Sequence, residues 1–230
     1  MYKRQVFISY EESNAEENWK RLKSRFPIAK RLHGITGIHM AHIVAATMVS
    51  TDMFYCVDGD AVIDDAFAFD HVVPDHQLDH VHVFRARNPI NDLVYGYGAV
   101  KLLPTLDVRR LVDRDFKPDM TSSINRKYKV VHQLSNLTAF NTDPYNTWRS
   151  AFRECAKLAS GVIDGQVNSE TQQRLETWCT VGQGREYGHW CLLGAQAGRQ
   201  FGLDSRGTDQ LMKINDWSWL RQRYEMDGLA

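Results

Sequence analysis

Five consecutive apolar residues, at positions 53–57, constrain the fold of this chain more than any other feature. A run without polar alternation is typical of a strand that helices cover on both faces of a sheet. The run ends in Asp58-Gly59-Asp60, so two carboxylates stand directly where the strand leaves the sheet. In open α/β sheets, ligands bind outside the carboxyl ends of the strands. The sequence therefore predicts a ligand site at this turn.

The residues before the run alternate between strand and helix patterns. β-forming residues predict a strand at residues 5–10 and a short strand at residues 28–32. Apolar residues at helical spacing predict a helix at residues 15–26, which Pro27 ends, and an almost wholly apolar helix at residues 39–50. This order implies right-handed crossovers. We therefore expect an α/β fold with a mostly parallel sheet flanked by helices.

Length and composition favour one domain over residues 1–230. The chain has 230 residues, of which 43% are hydrophobic, and this suffices for one sizeable core. The length is too short for two average domains. No stretch reaches the roughly 18 apolar residues of a membrane helix, and the N-terminus lacks the apolar segment of a secretion signal, so we expect a cytoplasmic protein. Four widely spaced cysteines without a CxxC pair indicate buried thiols rather than disulfides or a cysteine-rich zinc site.

The net charge of zero conceals two segments of opposite charge. Residues 51–80 contain eight aspartates and no Lys or Arg, whereas residues 81–135 contain ten basic and five acidic residues. An acidic segment attracts cations, and a basic segment attracts phosphates. Two solvated faces that partly neutralise each other would give the same pattern.

Asp58 and Asp60 are candidate ligands for Mg²⁺ or Mn²⁺ beside a diphosphate. Both ions prefer oxygen ligands, usually one or two carboxylates together with phosphates and waters. Gly59 lets the backbone approach a ligand without a side chain in the way. An exposed acidic turn is the alternative, and the apolar strand before the turn favours the metal site.

Three segments carry a resemblance to a known family. Residues 6–63, with the Asp58-Gly59-Asp60 turn as a DxD motif, resemble the nucleotide-sugar half of GT-A glycosyltransferases. Residues 88–104 and 137–158 resemble a subgroup from tailed bacteriophages that places a sugar, here expected to be arabinose, on 5-hydroxymethylcytosine in phage DNA. The resemblance covers most of residues 5–204. It implies a Rossmann-like GT-A fold, a UDP-sugar donor with Mn²⁺ or Mg²⁺, and double-stranded DNA with hydroxymethylated cytosine as acceptor.

The resemblance also divides the chain by role. It implies a nucleotide-sugar-binding half at residues 1–65, an acceptor and catalytic half at residues 81–204, and a C-terminal helix or lid at residues 205–230. At the end of the first strand, three residues would approach the nucleoside: Ser9, Tyr10 and Glu11.

The same resemblance implies the metal ligands. Asp58 would contact the ribose or a metal-bound water, and Asp60 would bind the metal directly. In the family a third ligand, often His, comes from the C-terminal portion. His189 is the candidate by its order along the chain, with His132 in reserve.

A carboxylate base is needed in an inverting enzyme, because the acceptor oxygen loses a proton as it attacks the sugar. The family position falls on Glu154, although Cys155 stands where the motif often has an aspartate. Asp143 is the alternative base. An aspartate before Pro144 also suits a helix N-cap, so capping alone would explain it.

Glycines and tyrosines alternate at residues 95–98 and indicate an acceptor site. Tyr95 and Tyr97 could stack on a sugar or a base, while the same pattern also fits a strand in an edge hairpin. With DNA as acceptor, we expect the nearby Arg85, Arg87 and Lys101 to hold phosphates. The target base would have to leave the duplex stack to present its hydroxymethyl group.

The remaining histidines do not predict a metal site. No single helix or strand aligns His76, His80 and His82, so we expect a polar loop there rather than zinc ligands. His39 and His42 lie three apart on the apolar helix. We expect them to mark its polar face or to neighbour a diphosphate.

Two other functions fit the sequence. One is a glycosyltransferase of the same kind that acts on a glycan or protein. The other is a catalytically silent DNA-binding module with this fold. Binding to DNA that weakens steeply with salt would favour a DNA partner over a glycan.

Overall fold

The computed structural model describes residues 3–163 and 165–229, which form two compact units. The first unit contains the chain up to Asn88 with Val94–Phe116 and Ser123–Ala139. The second contains Pro89–Leu93, Lys117–Ser122 and the chain from Phe140 onward. Each unit has its own hydrophobic core.

The first unit is built on one sheet of eight strands. In chain order the strands are β1 (Arg4–Ser9), β2 (Lys30–His33), β3 (Met53–Asp58), β4 (Ala61–Ile63), β5 (Val81–Arg87), β6 (Val94–Tyr95), β7 (Val100–Pro104) and β8 (Tyr128–Thr138). The order across the sheet is β2-β1-β3-β7-β5-β8-β4, and β6 pairs with β5.

The predicted α/β class is confirmed. β1 pairs parallel with both β2 and β3, and β5 pairs parallel with β8. β7 runs antiparallel to its neighbours β3 and β5, and the short strands β4 and β6 also pair antiparallel. β1 and β2 are each followed by a helix, which supplies the crossover that parallel neighbours need. β5 reaches its parallel neighbour β8 through residues 88–127, which include β6 and β7.

Four helices accompany the first part of the chain: α1 (Ala15–Arg25), α2 (Ile38–Thr47), α3 (Thr105–Arg109) and α4 (Met120–Ile124). The first two correspond to the helices predicted at residues 15–26 and 39–50. The short strand predicted at residues 28–32 begins two residues later, at Lys30. The shift arises because Ala29 closes a turn onto the Phe26 carbonyl, and pairing with β1 starts at Lys30.

β3 is buried on both faces, as its apolar run predicts. Met53, Tyr55 and Val57 point into an aromatic core. The rings of Phe67 and Phe84 lie 6.5 Å and 5.8 Å from the Tyr55 ring. Because side chains alternate along a strand, residues 54, 56 and 58 face the opposite side, where α2 covers the sheet.

The second unit is helical. It contains α5 (Pro144–Ser160), α6 (Asn168–Thr180), α7 (Gly188–Asp204) and α8 (Trp217–Met226). α5 follows the Asp143-Pro144 pair as expected, and Gly161 ends it in the left-handed conformation, with φ 72°. Among residues 3–163 and 165–229, no helix combines the length and apolar character needed to cross a membrane.

Glycines bring α7 into backbone contact with α5. A Cβ at Gly194, Gly198 or Gly202 would lie 2.2–2.4 Å from the carbonyl oxygens of Trp148, Phe152 and Ala156 in turn. These glycines recur every fourth residue, so they line one face of α7. The constant offset between the paired residues shows that the two helices run parallel. Only glycine permits this close approach.

We predict that Gly198→Ala destabilises the protein by about 1–3 kcal/mol, because the added methyl group overlaps the Phe152 carbonyl oxygen. Urea unfolding measures the loss. Gly184→Ala is the matched control, since a Cβ at Gly184 meets nothing within 4 Å. That change should stay within about 0.5 kcal/mol. Equal effects of the two substitutions would contradict the close packing.

Candidate metal and nucleotide site

The three parallel strands β2, β1 and β3 end together at one edge of the sheet. Ser9 pairs with His33, and Ile8 pairs with Asp58. The Ser9 hydroxyl lies 3.0 Å from His33 Nδ1. This polar edge is where the sequence predicts ligand binding, and it carries Ser9 and Asp58 of the predicted site.

The Asp58-Gly59-Asp60 turn connects β3 to β4 and is held from both sides. Asn18 Nδ2 donates to the Gly59 carbonyl at 2.9 Å, and Ala139 N donates to the Asp60 carbonyl at 2.8 Å. Both contacts use backbone carbonyls, so they fix the turn without using the carboxylates. The turn is therefore a rigid base for the two acidic side chains.

Gly59 lies at a crowded position of this edge. A Cβ there would lie 2.8 Å from Glu12 Oε2 and 3.1 Å from the Ser9 Cβ. Glu12 Oε2 in turn accepts a hydrogen bond of 2.7 Å from the Tyr10 backbone N–H. Glu11, the predicted neighbour of the nucleoside, is exposed. The sequence did not predict a role for Glu12 at this edge, because its contact with Gly59 arises only from the fold.

Asp58 forms an ion pair with Lys101 of the neighbouring strand β7. Lys101 Nζ donates to Asp58 Oδ2 at 3.1 Å, and the side chains are 9% and 34% exposed. Lys101 lies on β7 opposite Cys56 of β3, so the antiparallel register delivers its amino group to Asp58. The sequence assigned Lys101 to DNA phosphates; the structure gives the amino group a partner at the candidate metal turn.

A buried histidine and a thiol complete this cluster. Cys56 Sγ lies 3.4 Å from His42 Nε2 and 4.0 Å from Asp58 Oδ1. Burial lowers the pKa of His42 to about 4, with a smaller contribution from Lys101. Burial raises the pKa of the Cys56 thiol well above its ordinary value. The sequence does contain a signal for the contact between Cys56 and Asp58. They are two residues apart in a strand, so both side chains lie on the same face of the sheet.

The other predicted metal and base residues belong to the second unit. Asp143 caps α5, where its Oδ1 accepts from Asn146 N at 2.8 Å. His189 is exposed in the first turn of α7, with Gln183 Nε2 3.5 Å from its Nδ1. Glu154 is buried and ion-paired with Lys157 at 2.9 Å.

The two candidate bases do not share a site. Asp143 and Glu154 lie eleven residues apart on one helix, which is about 16 Å along its axis. The parallel register of α5 and α7 places His189 at the same end of the helix pair as Asp143. Of the two, Asp143 is therefore the one that the second unit brings towards the candidate third ligand.

The predicted acceptor residues Tyr95 and Tyr97 form a stacked pair. Their ring centroids lie 4.7 Å apart at an interplanar angle of 26°. The Tyr97 hydroxyl donates to the Arg87 carbonyl at 3.3 Å, the side chain of Arg87 is exposed, and that of Arg85 is half-buried. β6 pairs antiparallel with β5, so the stack is part of the hairpin that the sequence left as an alternative.

The histidines at residues 76–82 have other partners. His80 pairs with Asp79 at 2.8 Å, and the ring of His82 bonds the Gln77 carbonyl at 3.1 Å. The reserve candidate His132 is exposed on β8. Over the part of the chain that the structure describes, His42, Cys56 and Asp58 form one cluster of possible metal ligands, with their ligand atoms within 4.8 Å of one another.

Comparison with known proteins reveals distant likenesses only. No protein-family model matches the chain, and no curated protein matches it significantly. Among solved structures, the TarS 1–349 fragment of S. aureus matches 96% of this chain and 92% of its own, with 10% identity and a TM-score of 0.37. A protein described as a glucose-1-phosphate thymidylyltransferase of Bacillus anthracis, in complex with a sucrose, matches 55% of this chain and 67% of its own, with 11% identity and a TM-score of 0.34. Similarities this low assign no activity.

We predict that Lys101→Met lowers the free energy of unfolding by about 1–3 kcal/mol, because it leaves Asp58 beside an apolar group. The half-exposed pair of Lys127 with Asp79 is the control, and Lys127→Met should cost less than about 1 kcal/mol. Urea unfolding compares the two variants. Adding Asp58→Asn to Lys101→Met should recover part of the loss, and full additivity would contradict the ion pair.

Proposed function

We propose that this chain is a divalent-metal-dependent glycosyltransferase that takes its sugar from a UDP-sugar bound at the Asp58-Gly59-Asp60 turn. The observation that carries the proposal is the position of this turn at the shared carboxyl edge of β2, β1 and β3. Nucleotides bind at such edges in α/β sheets. The turn holds two carboxylates there, with its backbone fixed by the hydrogen bond from Asn18 to the Gly59 carbonyl.

The donors at the turn fit Mg²⁺ or Mn²⁺, since both ions select carboxylate oxygens. Asp60 would bind the ion directly, with Asp58 beside it. When bound, the ion would stabilise the negative charge that develops on the departing UDP. Lys101 adds a second positive charge near Asp58. Ser9, Tyr10 and Glu11 are proposed to bind the nucleoside, and Glu12 orders this loop.

The proposed acceptor is 5-hydroxymethylcytosine in DNA, and the proposed sugar is arabinose. Aromatic rings can support a base that has left the duplex. Tyr95 is buried, so the half-buried ring of Tyr97, which stacks on Tyr95, is the one that would meet the base. The basic segment around them supports phosphate contacts, with Arg87, Arg126 and Lys129 exposed on the same unit. Lys101 is less suited to phosphate, because it is buried against Asp58.

Asp143 is the base that we favour for the acceptor hydroxyl. Both carboxylates have partners, since Glu154 is paired with Lys157 and Asp143 accepts hydrogen bonds from Asn146 and Thr142. Glu154 is buried, whereas Asp143 is half-buried and so more accessible to a substrate. Asp143 lies at the end of the helix pair that carries His189. A base must reach the proton that it abstracts.

The test is release of UDP from a panel of UDP-sugars with Mn²⁺, with and without DNA that contains 5-hydroxymethylcytosine. We expect turnover that needs the modified DNA, and a loss of about 100-fold or more in Asp60→Asn. Asp75→Asn is the matched control, because Asp75 is an exposed aspartate of the same acidic segment. It should retain the wild-type rate.

The other outcomes separate the alternatives. UDP release that needs Asp60 but ignores DNA would retain the transferase and favour a glycan or protein acceptor. Salt-sensitive binding of DNA without turnover of any donor would overturn the proposal in favour of a silent binding module.

The acceptor proposal has its own prediction. Tyr97→Leu should weaken binding of modified single-stranded DNA by about 1–3 kcal/mol, because a stacking surface is lost. Fluorescence anisotropy at two salt concentrations measures it. Phe116→Leu removes an exposed ring elsewhere on the unit and should leave binding unchanged. Equal losses would indicate binding without a specific stack.

A further inference from the structure

We propose that His42, Cys56 and Asp58 form a zinc site behind the Asp58-Gly59-Asp60 turn. Their ligand atoms lie within 4.8 Å of one another and comprise a nitrogen, a sulfur and an oxygen. Zinc accepts all three donor types, whereas Mg²⁺ and Mn²⁺ prefer oxygen. The proposed site is therefore chemically distinct from the donor-metal site, although the two share Asp58.

The fold builds this ligand set from two elements. Cys56 and Asp58 are two residues apart on β3, so their side chains leave the same face of the sheet. α2 lies over that face and brings His42 down onto the sulfur. Cys56 and His42 are buried, and Asp58, at the strand end, is 34% exposed. An ion would enter past the Asp58 carboxylate.

The distance between the sulfur and the nitrogen suits tetrahedral coordination. Zn–S and Zn–N bonds of about 2.3 and 2.0 Å at a tetrahedral angle separate the sulfur and nitrogen by about 3.5 Å. The observed separation of Cys56 Sγ and His42 Nε2 is 3.4 Å. Asp58 Oδ1 lies 4.0 Å from the sulfur. Two ligands of one zinc ion at a tetrahedral angle would be separated by about 3.6 Å, so this oxygen would move slightly closer to the sulfur on binding.

His42 Nδ1, the ring nitrogen that faces away from Cys56, forms the kind of hydrogen bond found in metal-binding histidines. His42 Nδ1 lies 2.8 Å from the Ile38 carbonyl, which can only accept, so Nδ1 carries the proton. The Nε2 lone pair then points towards Cys56. A hydrogen bond from the second ring nitrogen to a backbone carbonyl is the arrangement that orients ligating histidines.

Binding would exchange one proton for the ion. The Cys56 S–H bond breaks, its proton goes to solvent, and the thiolate, the His42 nitrogen and Asp58 Oδ1 each donate an electron pair to Zn²⁺. Asp58 Oδ2 keeps its contact with Lys101. A fourth position stays open for water. If the proposed function holds, zinc would draw Asp58 away from the donor metal and inhibit transfer.

The experiment titrates the metal-free protein, residues 1–230, with Co²⁺ and then displaces the Co²⁺ with Zn²⁺. We expect binding of one ion, an intense thiolate-to-cobalt absorption band, and affinity that rises with pH because a proton is released. Cys56→Ser and His42→Gln should each weaken binding at least about tenfold. Cys191→Ser is the matched control, since that thiol is equally buried in the second unit. It should leave affinity and spectrum unchanged.

A cobalt spectrum without a thiolate band, or equal affinity in Cys56→Ser and wild type, would overturn the zinc site. Unfolding curves identify a variant that fails to fold. In that case the thiolate band and the proton release of the wild-type protein still decide whether Cys56 binds the ion. No nucleotide sugar takes part. Loss of cobalt binding with intact Asp60-dependent turnover therefore refutes the zinc site alone, and cobalt binding without turnover refutes the transferase alone.

Discussion

Burial of β3 on both faces is the constraint on which the first unit depends. One face completes an aromatic core around Tyr55, and the other lies beneath α2. A strand covered in this way cannot shift its register by one residue without exchanging its two faces. That rigidity extends to the strand's end, where the Asp58-Gly59-Asp60 turn is held by Asn18 and by the Ala139 backbone. The two carboxylates therefore lie at the end of a strand that is buried on both faces, and side chains on such elements are positioned more precisely than side chains on loops.

The second unit depends on a different close contact. Glycines every fourth residue on α7 meet the α5 backbone, so the register of the two helices is set by carbonyl oxygens rather than by large side chains. This register brings Asp143 and His189 to one end and leaves Glu154 further along, paired with Lys157. Asp143 and Glu154 are both candidate bases by sequence, but only Asp143 lies at the same end of the helix pair as His189.

Local patterns explain why much of this was predictable. The apolar run of β3, the stop at Pro27 and the cap at Asp143 each rest on neighbours in sequence, and each element formed close to its expected bounds. Beyond β3 the expectation of parallel pairing applies to β5 with β8 but not to β7. Strand direction there depends on which strands become neighbours, and no local signal encodes that.

The sequence by itself determined the α/β class, the buried strand and the two carboxylates at its end, because hydrophobic periodicity and turn chemistry act over a few residues. Only the tertiary structure decided which side chains surround the end of this strand. Lys101 is 43 positions from Asp58 and reaches it through an antiparallel register, and His42 reaches Cys56 through the placement of α2. Glu12 against Gly59 is a third case. Such contacts follow from packing of whole elements, so spacing along the chain could not reveal them.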